Sequence, residues 1–185
     1  MPEGTQTPDN KPEIARLFFA LWPDGRVRSR LEQAGKKLHA ACGGRITRAE
    51  TLHLTLVFLG DVEVSKIGAL QSVAAEVRAP AFVMLLTRFG WWRHNRVAWA
   101  APENAVPALA QLVDELQAVL QQAEFKLDRR PYAPHLTLLR KARCDRAELP
   151  PLAPVEWAVD DFVLVRSVTT TEGAAYEILG RWPLD

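Results

Sequence analysis

The chain has 185 residues, 48% of them hydrophobic and 24% charged, with a formal net charge of +1. So balanced a charge excludes a chain-wide polyanion-binding surface, and any nucleic-acid contact has to be local. No apolar run approaches the roughly 18 residues that a membrane-spanning helix needs.

Residues 1–12 are polar and Pro-containing, with neither the basic start nor the apolar stretch of a signal peptide. They read as a disordered leader to a single domain over 13–185, expected to be cytoplasmic and monomeric. The run from Arg16 to Trp22 ends at Pro23 and reads as a central strand. Asp24 can cap a helix with Val27, Leu31, Ala34 and Leu38 at helical spacing, stopped by Gly43-Gly44. A strand over Leu52 to Leu59 comes next, ending at Gly60-Asp61. Ser65 then opens a second helix bearing Ile67, Leu70, Ala74 and Val77, closed by Pro80.

Phe82 to Leu86 and Arg96 to Ala101 read as strands joined by a Trp/Arg-rich loop, Gly90 to Asn95. Asn104 begins the clearest helix, with Leu109, Leu112, Val113, Leu116, Val119 and Leu120 as its stripe. A loop from Asp128 to Pro134 leads into a strand over Ala133 to Leu139. Pro150, Pro151 and Pro154 mark an irregular connector, and Val159 to Val168 with Tyr176 to Trp182 form a closing antiparallel pair around Glu172-Gly173. Cys42 and Cys144, outside any C-x-x-C unit, read as two reduced thiols. Four histidines without close ligand spacing make a zinc site unexpected.

Two of those four histidines head identical tetrapeptides, His53-Leu54-Thr55-Leu56 and His135-Leu136-Thr137-Leu138. Alternation in an extended strand puts His53 and Thr55 on one face and Leu54, Leu56 and Phe58 on the other. The second copy repeats the division: His135 and Thr137 against Leu136 and Leu138. A lone His-x-Thr is usually incidental, since a strand histidine is commonly a satisfied core residue. Two copies spaced by nearly half the chain reverse that judgement. They imply a duplicated α+β unit whose halves face each other across a groove.

Paired imidazoles suit displacement at phosphorus. With an ordinary pKa of about 6.5, one can stay neutral and take a proton from the attacking group while the other is charged and protonates the departing oxygen. Those oxygens lie on opposite sides of phosphorus, so the two groups must come from opposite walls. Each Thr hydroxyl can donate to a non-bridging oxygen.

Lys126, Arg129, Arg130, Arg140, Lys141, Arg143 and Arg146 surround the second motif against only Asp128 and Asp145, suggesting an anion site. Arg140 is five positions after His135, so strict alternation points it away; the strand must end or twist for it to reach a phosphate. Trp91, Trp92 and Tyr132 can stack on a base, or serve as core and rim aromatics. His39 reads as a charge at a helix C-terminus and His94 as a solvated loop position.

The segments HLTLVFLGDV and PHLTLLRKA resemble the two H-x-T-x signatures of the two-histidine phosphoesterase superfamily. Within it they are similar to the RNA 2′,3′-cyclic phosphodiesterases, historically called 2′-5′ RNA ligases; RLFFALWPD and Arg96-Val97-Ala98-Trp99 extend the likeness. The resemblance implies a bilobal α+β fold with antiparallel-rich sheets facing a central groove and helices outside. It also implies metal-independent, cofactor-free hydrolysis of 2′,3′-cyclic phosphates at RNA 3′ ends, on tRNA-like or oligonucleotide substrates, leaving a 2′-phosphate. His53 would be the proton donor and His135 the proton acceptor, with Thr55 and Thr137 holding the phosphate; from the basic and aromatic residues themselves, Arg140, Tyr132, Arg130 and Trp92 are the candidate substrate contacts. The alternatives are action on 2′-5′-linked oligonucleotides or small cyclic nucleotides, the reverse 2′-5′ ligation, and a non-catalytic RNA-end-binding module.

Overall fold

In a computed structural model that describes residues 12–128, 130–145, 148–171 and 173–185, the chain folds around one large antiparallel sheet. All of the expected leader but Pro12, together with Arg129, Arg146 and the Glu172 turn position, lies outside the described residues. The first strand, β1 (Ile14–Leu21), is buried along most of its length, as an apolar run on both faces predicts. Helix α1 (Gly25–Cys42) starts where the Asp24 carboxylate accepts the Val27 amide at 2.7 Å, and it ends at Gly43, whose N–H donates to the His39 carbonyl.

A two-residue strand β2 (Arg45–Ile46) precedes the first motif strand, β3 (Leu54–Glu63), and a short helix α2 (Ile67–Ala74) comes after it. Strands β4 (Phe82–Leu86), β5 (Arg88–Trp92) and β6 (Val97–Ala101) lead into α3 (Pro107–Gln122). The second motif strand is β7 (Leu136–Arg140), and β8 (Val155–Val159), β9 (Asp161–Thr170) and β10 (Gly173–Pro183) complete the chain. The sheet runs β10-β9-β1-β3-β7-β6-β5, with β2 also on β7; β4 and β8 pair separately.

The two motif strands are thus neighbours at the centre of one continuous sheet, bridged at Leu54 and Leu136. The expectation of separate sheets on facing walls takes this form because each half's inner edge strand finds its backbone partners in the other. Nor are the halves contiguous in sequence, since the C-terminal strands β9 and β10 return to extend the first half.

Leu17, Phe19, Leu21, Leu54, Leu56, Leu136 and Leu138 pack with the apolar stripes of all three helices into one main core. Two smaller clusters stand apart from it. One holds Phe18, Ala20, Val163 and Val165 with Trp22, Phe58 and Tyr176 against them; the other holds Val97, Trp99 and Ala101 with Trp92.

Alternation breaks at the same place in both motif strands. Against β1, Phe19 pairs with Val57 and Ala20 with Thr55, leaving Leu56 as an extra residue. Against β6, Ala98 pairs with Leu139 and Trp99 with Thr137, leaving Leu138 extra. A bulge at each site inverts the facing of the residues C-terminal to it. Phe58 therefore joins the Phe18–Tyr176 cluster instead of the Leu54 face, correcting the expectation from strict alternation.

Other expectations change for local reasons. β3 continues past Gly60, whose φ of 72° sits beside a second register shift instead of a strand end. Ser65 does not cap α2; its hydroxyl donates to the Glu63 carboxylate at 3.4 Å, and the helix ends at Ala74, short of Pro80. α3 starts at Pro107, not Asn104, with the proline in its first turn, where no amide is missed. Gly90, Trp91 and Trp92 belong to β5, so only the residues after them form the turn into β6, and the partner of β4 is β8. Cys42 and Cys144 are joined in a disulfide with Cα atoms 4.6 Å apart, correcting the expectation of two reduced thiols. They meet because β2 pairs with the end of β7, which brings the end of α1 to the segment after Arg140.

Candidate active site

Each catalytic candidate lies at the start of its motif strand, where a hydrogen bond from the ring to the chain two residues back holds the imidazole. His53 Nδ1 lies 2.7 Å from the Thr51 carbonyl oxygen, and His135 Nδ1 lies 2.8 Å from that of Ala133. A carbonyl only accepts, so in both rings Nδ1 carries the proton and donates. Nε2 is left to exchange protons with a substrate. The duplication thus extends beyond the tetrapeptide to the ring tautomer.

Continuing the Leu54–Leu136 register one residue in each direction sets His53 across from Thr137 and Thr55 across from His135. The pockets agree with this. One, of about 260 Å3, is lined by His53, Thr137, Thr51, Tyr176 and the three arginines Arg45, Arg48 and Arg140. The other is lined by His135, Thr55, Phe58, Trp92 and Tyr132. Each half-site therefore combines the histidine of one motif with the threonine of the other.

The position five residues after each histidine lies beyond its bulge. It is Phe58 in the first copy and Arg140 in the second, and both face the site because the bulge has turned them. The twist that Arg140 required is the extra residue Leu138. Its guanidinium is near enough to both rings to act on both electrostatically.

Burial lowers the His53 pKa from 6.5 to about 4, against the opposing hydrogen bond to Thr51, with smaller contributions from Arg140 and His135. Burial also lowers that of His135, against its bond to Ala133 and helped by Arg140. His53 is enclosed by aromatic rings: Trp22 stacks on it at 5.6 Å and 10°, Tyr176 meets it edge-on at 5.1 Å and Phe18 lies at 4.9 Å. His135 has Trp92 at 4.4 Å, inclined at 68°.

The expected substrate contacts divide. Trp92 and Tyr132 line the His135 pocket. The Tyr132 hydroxyl donates to the Thr55 carbonyl at 3.3 Å, and burial holds its pKa well above the ordinary phenol value, so it cannot shuttle protons near neutrality. Arg130 also borders that pocket, but its guanidinium is taken by Asp128, with Nε donating to Oδ2 at 2.7 Å. The basic cluster does not converge as a unit: Arg140 alone of its described members lines the His53 pocket. The further cations there, Arg45 and Arg48, and the aromatic enclosure of Trp22, Phe18 and Tyr176 come from distant segments that sequence reasoning missed. His94 borders the His135 pocket from an exposed turn, and His39 lies in the last turn of α1, its Nε2 bonded to the Gly44 carbonyl at 3.1 Å. Among the described residues no group of three or more His, Cys, Asp or Glu could hold a metal ion, and no helix is long and apolar enough to cross a membrane.

An antiparallel α+β fold with paired His-x-Thr half-sites is that of a two-histidine phosphoesterase. The sequence profile of the 2′-5′ RNA ligase superfamily matches residues 23–171, and the chain belongs to that superfamily. It is 33% identical over 172 residues to the RNA 2′,3′-cyclic phosphodiesterase of Escherichia coli K12, covering 93% of this chain and 98% of that protein. It is 30% identical to the Thermotoga maritima RNA 2′,3′-cyclic phosphodiesterase, covering 89% and 92% respectively. The crystal structure of E. coli LigT in apo form superposes with a TM-score of 0.84 at 34% identity, over 93% of this chain and 98% of that one. The same protein complexed with 3′-AMP gives a TM-score of 0.83 over 93% and 99% at the same identity.

Proposed function

We propose that this protein is an RNA 2′,3′-cyclic 3′-phosphodiesterase that opens terminal cyclic phosphates to 2′-phosphates without a metal or cofactor. The observation that carries the reading is the doubled half-site: two imidazoles in one tautomer, each across a strand pair from the other motif's threonine. In the reaction, His135 Nε2 takes a proton from water as its oxygen bonds to phosphorus. The bond from phosphorus to O3′ breaks on the opposite side, and His53 Nε2–H protonates that oxygen, leaving a 3′-hydroxyl and a 2′-phosphate. Thr55 and Thr137 donate to the non-bridging oxygens, and Arg140 offsets the charge that builds there. Trp92 offers an aromatic surface on the His135 side, while Tyr132 walls that pocket. We take the protein to act as a monomer in the cytoplasm; the described site draws its residues from both motif strands and needs no second copy.

A second reading, 2′-5′ joining, is favoured by that aromatic pocket. It adjoins the base, where the attacking group enters, and can seat the nucleoside of a 5′-hydroxyl end in place of water.

The test is product mapping on an oligonucleotide ending in a 2′,3′-cyclic phosphate, with and without EDTA. Only 2′-phosphate should form, at the same rate in chelator, and both His53→Ala and His135→Ala should abolish it while circular dichroism stays unchanged. Near-wild-type rates in either variant would overturn the dyad. Chelator-sensitive turnover restored by added metal would point to a metal-dependent enzyme.

A further inference from the structure

The two half-sites share a backbone plan but differ in charge. Around His135 the described pocket has one guanidinium, Arg130, and it is held by Asp128. Around His53 the pocket has Arg45, Arg48 and Arg140, and no carboxylate among its described lining residues. Arg45 and Arg140 are direct cross-strand partners in the β2–β7 pair. Like charges placed opposite one another in a sheet repel unless an anion lies between or beside them. Arg48 already gives Nη2 to the Ala174 carbonyl at 2.7 Å and pairs through Nε with exposed Glu50 at 3.3 Å. The buried Thr47 hydroxyl, from the same stretch of chain, has no hydrogen-bond partner among the described residues.

A single reacting phosphate does not account for three arginines. Displacement geometry indicates what else arrives. The leaving O3′ departs on the His53 side, and the nucleoside remains attached to that oxygen, so the rest of the RNA strand lies there as well. We propose that Arg45 and Arg48 form a second anion subsite, beside Arg140, that takes the phosphodiester on the 5′ side of the terminal nucleoside. The assignment rests on the proposed reaction, in which His53 is the proton donor. Arg140 serves the reacting phosphate, and Arg45 and Arg48 read the next one. The subsite confers preference for a chain end over a free cyclic mononucleotide, and being backbone-directed it carries no base sequence information.

The experiment compares adenosine 2′,3′-cyclic phosphate with the same compound bearing a 5′-phosphate, and a dinucleotide ending in a cyclic phosphate with its neutral methylphosphonate counterpart. With the native protein the added charge should raise kcat/KM about 10-fold in each pair. Arg45→Gln and Arg48→Gln should bring both ratios toward one, and Arg45→Lys should restore part of the gain. The salt dependence of kcat/KM on the charged substrates should flatten in both Gln variants. Turnover of all four compounds with ratios near one in the native protein would overturn the subsite while leaving the phosphodiesterase reading in place. So would ratios that survive in both Gln variants. Failure of the native protein to turn over any of them would overturn the functional reading and the subsite with it.

Discussion

The proposed reaction asks His53 to give up a proton, yet its environment discourages it from holding one. With a pKa of about 4 in the free protein, roughly one molecule in a thousand carries a protonated His53 at pH 7. A cyclic phosphodiester brings a negative charge into contact with Nε2. At about 4 Å and an effective dielectric near 20, the attraction is about 4 kcal/mol, which raises the pKa by about three and brings it to neutrality. On this reading the substrate supplies the charge that makes His53 an acid. In the free enzyme both rings sit below 6.5, so kcat/KM should be bell-shaped with its optimum below about pH 6.5. The profile of kcat, which reports the complex, should peak nearer pH 7. Because the rings are neighbours, both profiles give values for the pair. Site assignment comes from NMR titration of the His53 ring resonance, identified by its loss in His53→Gln. Its midpoint should lie near 4 in the free protein and rise by two to three pH units with adenosine 2′-phosphate bound. A free midpoint near 6.5, or one unmoved by the nucleotide, would rule out substrate-induced protonation of His53.

Replacing Thr55 or Thr137 with Val keeps shape but deletes the donor to a charged oxygen, a loss of about 1.5–3 kcal/mol. Each variant should fall roughly 10- to 100-fold in kcat/KM at an unchanged melting temperature, and a fall of under twofold in steady-state assays would remove that threonine from the site. Gly44→Ala places a Cβ 2.7 Å from the Arg140 carbonyl oxygen at a φ of +90°. It should cost about 1–3 kcal/mol in urea unfolding, and an unchanged midpoint would show that β2 does not need this approach to β7. The Cys42–Cys144 bridge closes a span of 102 residues, so Cys144→Ser should lower stability by up to about 4 kcal/mol. Thiol titration of the unreduced native protein should find no reactive group, and two would restore the reading of free cysteines.

Local signals carried far in this chain. The Asp24 cap, the α1 and α3 stripes and both His-x-Thr strands depend on neighbours a few residues away, and each lies where its pattern indicated. The features that escaped are nonlocal or break periodicity. The bulges have a visible cue, the break in alternation where apolar residues run on at Leu56-Val57-Phe58-Leu59 and Leu138-Leu139, but strict period-two reading masked it. β8 carried period-two burial at Val155, Trp157 and Val159, overshadowed by the prolines before it. Arg45, Arg48, Trp22 and Tyr176 had no such cue. They reach the site through pairings of β2 with β7, of β10 with β9 and of β9 with β1, which no local pattern records.

The same duplication explains why identical tetrapeptides can hold unequal jobs. Backbone features are repeated: the carbonyl bond to Nδ1, the bulge at the second leucine and the cross-motif threonine. The differences arrive on other strands or lie beyond the bulge. His53 lies flat against the Trp22 face, an arrangement that favours a ring carrying positive charge by about 0.5–2 kcal/mol. His135 meets Trp92 at a steep angle. Arg140 lies in the His53 pocket, opposing free protonation there but welcoming the phosphate that reverses the balance. Its counterpart Phe58 leaves the His135 side without a cation at that position, while burial and the more distant Arg140 both keep the His135 ring neutral and able to take a proton. A repeated strand motif thus supplies two proton carriers of one backbone plan, and on the proposed reaction the residue five places on separates the side that would hold the anionic strand from the side that would admit the nucleophile.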